Sequence, residues 1–188
     1  MNPTDEEINA YFEANAEAIA NQYGITKDSS KLVDVRHILV MPVSANESNE
    51  YTEDEWEDCR KAAEAILNQW KNGAADEEYF AQLATEKTED PGSQSTGGLY
   101  TNVYKGQMVS EFEEWCFDAS RQYGDTGLVR TTYGYHVMFF VSDVEQWYLA
   151  SKESIASDIC SQMLAEAREK YPMEVEYKKI RLGEVSLG

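Results

Sequence analysis

The chain has 188 residues, 42% hydrophobic and 12% aromatic, which is enough apolar material for one well-filled core and too much for a disordered chain. Its formal net charge is −19 with no basic cluster able to follow a phosphate backbone, which argues against nucleic acid as a partner. No apolar run approaches the roughly 20 residues that span a bilayer, and no charged-then-apolar signal peptide follows Met1, so any export signal or anchor is expected either to lie outside these residues or not to exist.

The first element opens on "TDEE", where Thr4 as N-cap and Glu7 three residues later form a capping box. Ile8, Tyr11, Phe12, Ile19 and Tyr23 then fall on one helical face, and Gly24 ends the helix. Residues 25–31 read as a linker. The β-branched run from Leu32 to Met41 predicts a strand with Val33, Val35, His37 and Leu39 on one side and Asp34 and Arg36 on the other. Pro42 stops it, and an acidic loop follows. Thr52 and Glu55 open a second capping box. Trp56, Cys59, Ala63, Ile66 and Trp70 then recur at alternating three- and four-residue spacing, one apolar stripe ending before Gly73.

A shorter helix begins near Asp76 and turns Phe80, Leu83 and Ala84 inward. "TEDPGSQSTGG" has the punctuation of a structured loop, and "MVSEFEEWCFD" reads as a short helix burying Val109, Phe112 and Cys116, with Trp115 and Phe117 as further candidates. "GDTGLVRTTYGYHVMFFV" predicts two strands joined by a turn at residues 132–134. From about Gln146 to Tyr171 a long amphipathic helix carries Trp147, Ile155, Ile159, Met163, Leu164 and Ala167. Pro172 ends it, and a last alternating strand places Val175 and Tyr177 on one face. Cys59, Cys116 and Cys160 lack metal-type spacing and each lies on an apolar helical position, so all three are expected as small buried residues. The order is helix, then strand–helix–helix–helix–strand–strand, then helix and strand. That is an α+β class.

Only two histidines occur, and both sit mid-strand: His37 and His136. Either alone reads as a core residue with satisfied ring nitrogens. At matching depths in neighbouring strands, the two rings would meet. Asp90, taken alone, is a turn residue before proline. A two-histidine, one-carboxylate metal site built from His37, His136 and Asp90 is a further alternative, without any local ligand spacing to support it.

"VRHILV", "FAQLA", "TEDPGSQSTGG", "KGQMVSEFEEWCFD", "GDTGLV" and "YGYHVM" together resemble the parvulin (PpiC-type, rotamase) peptidyl-prolyl isomerases in order and spacing, over Leu32 to Ser142. The flanking segments resemble Gram-positive surface foldases of the PrsA type. The resemblance implies a β-α-α-α-β-β domain over residues 32–142, with a small antiparallel sheet flanked by helices. Residues 1–31 would supply an N-terminal helix and linker. Residues 143–188 would supply a long helix and closing strand that pack with the N-terminal helix.

It also implies roles. His37 and His136 become the central histidine pair, Thr131 the threonine of their network, and Asp90 the acidic residue beside them. Met108, Phe112 and Tyr100 become the proline pocket, with Tyr100 where leucine is usual. The usual G-G-D-L-G reads "GGLYT" here, so an aspartate and a glycine are missing, and an aromatic wall is expected to narrow or cover the pocket. The implied function is a peptidyl-prolyl cis–trans isomerase assisting the folding of exported proteins at the cell surface, acting on unfolded or partly folded proline-containing polypeptides and using no cofactor or metal. A catalytically weak, parvulin-like chaperone or peptide-binding module is the alternative. Glu47, Glu50, Glu53, Asp54 and Glu55 stand where phosphate-directed parvulins carry basic residues, so no phosphopeptide preference is expected. Oligomeric state and client proteins are left open.

Overall fold

The computed structural model describes residues 2–44 and 51–172. Helix α1 (Asp5–Tyr23) starts on the expected capping box: the Glu7 backbone N–H donates to the Thr4 hydroxyl, and the Thr4 N–H donates to the Glu7 carboxylate. Gly24, with φ of 68°, closes it. Strand β1 (Lys31–Val40) leads to α2 (Glu53–Asn72), capped in the same way by Thr52 and Glu55, and then to α3 (Glu77–Lys87), capped by Asp76. A 3₁₀ turn (Gln94–Thr96) precedes strand β2 (Leu99–Val103). Helix α4 (Ser110–Cys116), strands β3 (Thr126–Arg130) and β4 (Tyr135–Glu145), and helix α5 (Gln146–Lys170) complete the described chain.

The strands form one antiparallel sheet in the order β2-β1-β4-β3. The expected β-α-α-α-β-β order therefore needs a correction, because β2 is a fourth strand inserted before the third helix of that unit. It pairs with the free edge of β1, Val103 opposite Val33 and Tyr100 opposite Val35, with a register shift between.

Both faces of the sheet are covered, which is why β1 is buried at Ile38 as well as at the alternating positions. One face packs Ile38, Val137 and Phe139 against Ala63, Leu67 and Trp70 of α2 and Phe80, Leu83 and Ala84 of α3. The other packs Val33, Val35, Val103, Val129, Met138 and Phe140 against Phe112 and Cys116 of α4. Burying a side chain of this size contributes about 1.5–3 kcal/mol, so the two clusters supply most of what holds the layers together.

Several expectations are revised. Leu67 occupies the buried stripe of α2 and Ile66 only flanks it. Tyr23 is exposed at the end of α1. Along α5, Trp147 packs on Phe12 with ring centroids 5.2 Å apart, Tyr148 donates to Asp5, and Tyr11 donates to Asp158. Beyond that point Ile159, Met163 and Leu164 are exposed, and so is Cys160; only Cys59 and Cys116 are buried. The expected closing strand with Val175 and Tyr177, and Glu47 and Glu50 of the acidic loop, lie outside the described residues.

Candidate active site

The site lies on the α4 face of the sheet. In the β1–β4 ladder, His37 stands opposite Met138 and Leu39 opposite His136, so the two histidines are diagonal neighbours pointing the same way. Their Nδ1 atoms are 3.0 Å apart. The outer nitrogen of each ring has its own partner: His136 Nε2 is 2.9 Å from the Thr131 hydroxyl, and His37 Nε2 is 3.0 Å from Asp90 Oδ2. Both rings and Thr131 are buried.

Two glycines permit this. A Cβ on Gly98 would stand 2.3 Å from the His37 carbonyl oxygen, and φ there is +75°, so only glycine lets the Asp90 loop return against β1. A Cβ on Gly134 would stand 2.1 Å from the Val40 carbonyl oxygen, so the β3–β4 turn can press against the end of β1 only without a side chain.

Asp90 is the anion of the network. Burial alone would push its carboxyl up, but hydrogen bonds from the Ser93 and Tyr100 hydroxyls and the Gly92 N–H outweigh that and hold it down at about 2. The Ser93 hydroxyl donates to Oδ2 at 2.6 Å and the Tyr100 hydroxyl at 2.8 Å, while Oδ1 accepts from Gly92 at 3.1 Å. Burial pushes both histidines below the usual range, His136 to about 3 with the neighbouring His37 adding to the effect. Both rings are therefore neutral near pH 7.

These charges fix the protons. An ionised carboxylate can only accept, so His37 carries its proton on Nε2 and donates to Asp90. His37 Nδ1 is then an acceptor, His136 must donate from its own Nδ1, and His136 Nε2 accepts from Thr131. The Thr131 hydroxyl in turn accepts from the Tyr133 N–H. Every contact has one donor and one acceptor, in a single line from Thr131 to Asp90.

Beside this line is a pocket of about 270 Å³ lined by His37, Leu39, Asp90, Tyr100, Gln107, Met108, Val109, Phe112, Tyr133 and His136. Phe112 meets both imidazoles edge-on, with centroids 5.5 and 5.4 Å away. Tyr100 stacks on His37 at 5.0 Å. Six of the seven expected site residues thus line one cavity. Thr131 does not; it sits behind His136. Tyr100 departs from expectation, because it is a wall that also donates to Asp90.

Sequence reasoning missed Ser93, which is fully buried and also lies 3.0 Å from His37 Nε2. A serine in a turn-rich loop carries no periodic signal. It likewise missed Leu39, Gln107, Val109 and Tyr133 as lining residues. The metal alternative finds no support: Asp90 and His136 lie at opposite nitrogens of His37, and among the described residues no group of three His, Cys, Asp or Glu side chains could hold a metal.

The four-stranded sheet, the paired histidines and the adjoining apolar pocket define the parvulin class of isomerase fold. The chain belongs to the family described as the PPIC-type PPIASE domain, whose model matches residues 19–143. Foldase protein PrsA 3 of Bacillus anthracis is 32% identical over 131 residues, covering 68% of this chain and 44% of that protein. Foldase protein PrsA of Halalkalibacterium halodurans is 33% identical over 152 residues, covering 81% of this chain and 35% of that protein. This chain thus spans less than half the length of either relative. A crystal structure of peptidylprolyl isomerase (PrsA) from Bacillus anthracis overlays with a TM-score of 0.47 at 16% identity, covering 90% of this chain and 70% of that one.

Proposed function

We propose that this chain is a peptidyl-prolyl cis–trans isomerase acting on unfolded or partly folded polypeptides, with residues 32–142 as the isomerase unit and α1 and α5 as a paired helical extension. The observation that carries the reading is the apolar pocket set directly against an unbroken hydrogen-bonded line that ends in a carboxylate.

Rotation about an X–Pro bond faces a barrier of about 18–20 kcal/mol, because resonance stiffens the amide. Twisting removes that resonance and moves charge from the carbonyl oxygen back to nitrogen. No bond breaks, so no nucleophile is required. Met108, Phe112 and Tyr100 receive the proline ring. Asp90, held ionised, disfavours the planar form with its negative carbonyl oxygen more than the twisted form, which is the differential binding a catalyst needs. His37, His136 and Thr131 hold Asp90 from behind and do not meet the reacting amide as proton donors.

Among the described residues the pocket lining includes Asp90 and no lysine or arginine, so a phosphate before the proline would meet repulsion there. Action on exported chains outside the membrane is part of the proposal, resting on likeness to the PrsA foldases. Among the described residues no helix is long and apolar enough to cross a membrane.

A protease-coupled assay on a proline-containing tetrapeptide, with a phosphoserine counterpart, tests this. The expected result is catalysed relaxation of the unmodified peptide and a lower rate on the phosphopeptide. The exposed Ile159, Met163 and Leu164 on α5 favour a second reading, a peptide-binding chaperone with little catalysis. Suppressed aggregation of a denatured client with no tetrapeptide turnover would establish that reading instead.

A further inference from the structure

Tyr100 does two things that one apolar side chain could not. Its place opposite Val35 turns the ring onto the site face, where it lies nearly parallel to His37, 19° between planes, and walls the pocket. Its hydroxyl reaches past that wall to Asp90 Oδ2 at 2.8 Å. The loop is shaped to admit it: a Cβ on Gly92 would stand 3.2 Å from the Tyr100 oxygen and 3.3 Å from Asp90 Oδ1.

The bonds to Asp90 are divided unequally. Oδ2 takes Ser93, Tyr100 and His37, whereas Oδ1 takes the Gly92 N–H. Three donors converging on one oxygen from three elements, the loop, β2 and β1, leave the carboxylate a single orientation. Ser93 and Gly92 move with the Asp90 loop and His37 is fixed in the central strand. Tyr100, like His37, both lines the pocket and bonds Asp90, but it reaches the carboxylate from the edge strand.

Resting on the isomerase reading, we propose that Tyr100 is a positioning residue: its hydroxyl sets the orientation of the Asp90 carboxylate and ties it to the wall against which the proline ring packs. Burial and the adjacent carboxylate push the Tyr100 phenol up to about 12, so it stays a donor at any pH where the enzyme would work. The "GGLYT" departure then exchanges a plain apolar wall for a wall with a donor, and the carboxylate gains an anchor.

Tyr100→Phe keeps the ring and removes the bond. Two readouts are paired: the titration of the Asp90 side-chain carboxyl followed by carbon-13 NMR, and the pH dependence of kcat and KM on the tetrapeptide. Loss of one charge-assisted hydrogen bond should raise the carboxyl midpoint by about one pH unit, carry the acid limb of the rate profile with it, and lower kcat roughly tenfold with KM within about twofold. Ser93→Ala should move the midpoint in the same direction without touching the wall. Tyr100→Leu, which loses the ring as well, should raise KM in addition. An unmoved midpoint and an unmoved acid limb in Tyr100→Phe would overturn the proposal. A parent protein without turnover would defeat the isomerase reading and Tyr100's part in the rate, and the titration alone would then decide whether Tyr100 anchors Asp90.

Discussion

His37 and His136 meet on the diagonal of the β1–β4 ladder, not across it, and their Nδ1 atoms come within 3.0 Å. Because two neutral imidazoles joined in this way must be a donor and an acceptor, each ring's tautomer depends on what lies at its far nitrogen. The ends of the line, Thr131 and Asp90, therefore govern its middle.

Thr131→Val keeps the buried shape and removes the hydroxyl. His136 Nε2 then loses its donor, and the ring no longer has reason to keep its proton on Nδ1. Nitrogen-15 spectra of the imidazoles are expected to show protonated Nε2 on His37 and protonated Nδ1 on His136 in the parent protein. In the variant the His136 pattern should become mixed, and the isomerase rate should fall several-fold. A parent spectrum with the reverse tautomers would refute the proton assignment.

Asp90→Ala strands four donors: the Ser93 and Tyr100 hydroxyls, His37 and the Gly92 N–H. Unmade bonds of this kind cost about 1–3 kcal/mol, and 1.4 kcal/mol lost from the transition state is about tenfold in rate. The variant should fold, with an unchanged far-ultraviolet circular dichroism spectrum, and lose at least tenfold in kcat/KM.

Acid stability should fall in two stages. His136 titrates at about 3 when folded and near 6.5 when unfolded, so between those values the unfolded chain binds the extra proton. Its contribution is whole above about pH 6.5 and is lost as pH falls toward 3. Asp90 is also depressed, to about 2 from 3.8, so its contribution is present above about pH 4 and is lost below that, amounting to about 2 kcal/mol. Urea melts at pH 7, 5 and 4 should show falling stability in the parent and a flatter profile in His136→Asn.

Phe112 is buried beneath the pocket and in edge contact with both histidines, so Phe112→Ala should destabilise the fold by roughly 3–5 kcal/mol. Met108, half-buried at the rim, tests binding more cleanly. Met108→Ala should raise KM several-fold with little change in kcat or melting temperature, and a kcat effect alone would argue against its contact with the proline ring.

What the sequence made legible was what local chemistry dictates. Thr4 with Glu7 and Thr52 with Glu55 cap helices wherever they stand, and mid-strand histidines need only adjacent strands to meet. Strand β2 was not legible, because "LYTNV" is short, half exposed and interrupted by Asn102 at a φ of 55°; it is a strand through its pairing with β1. Burial along α5 depends on a partner, so the same apolar spacing is covered near Trp147 and bare at Met163. Ser93 and the Tyr100–Asp90 bond arise from loop geometry, which no periodicity encodes.

Arg36 stands next to His37 on β1 and faces the other way. Its guanidinium bonds Glu77 of α3 and the Thr96 and Gly97 carbonyls, just beyond the turn that carries Asp90 and Ser93. One strand thus fastens that loop from both sides, through a cation on one face and an imidazole on the other. A slip of β1 by a single residue one way would bring Arg36 into the place of His37, putting a permanent positive charge beside Asp90, and a slip the other way would leave His37 among main-chain carbonyls and Ile38 beside Asp90. Misregistered chains would be silenced as well as destabilised, so the pairing of β1 is policed by the chemistry of the site it carries.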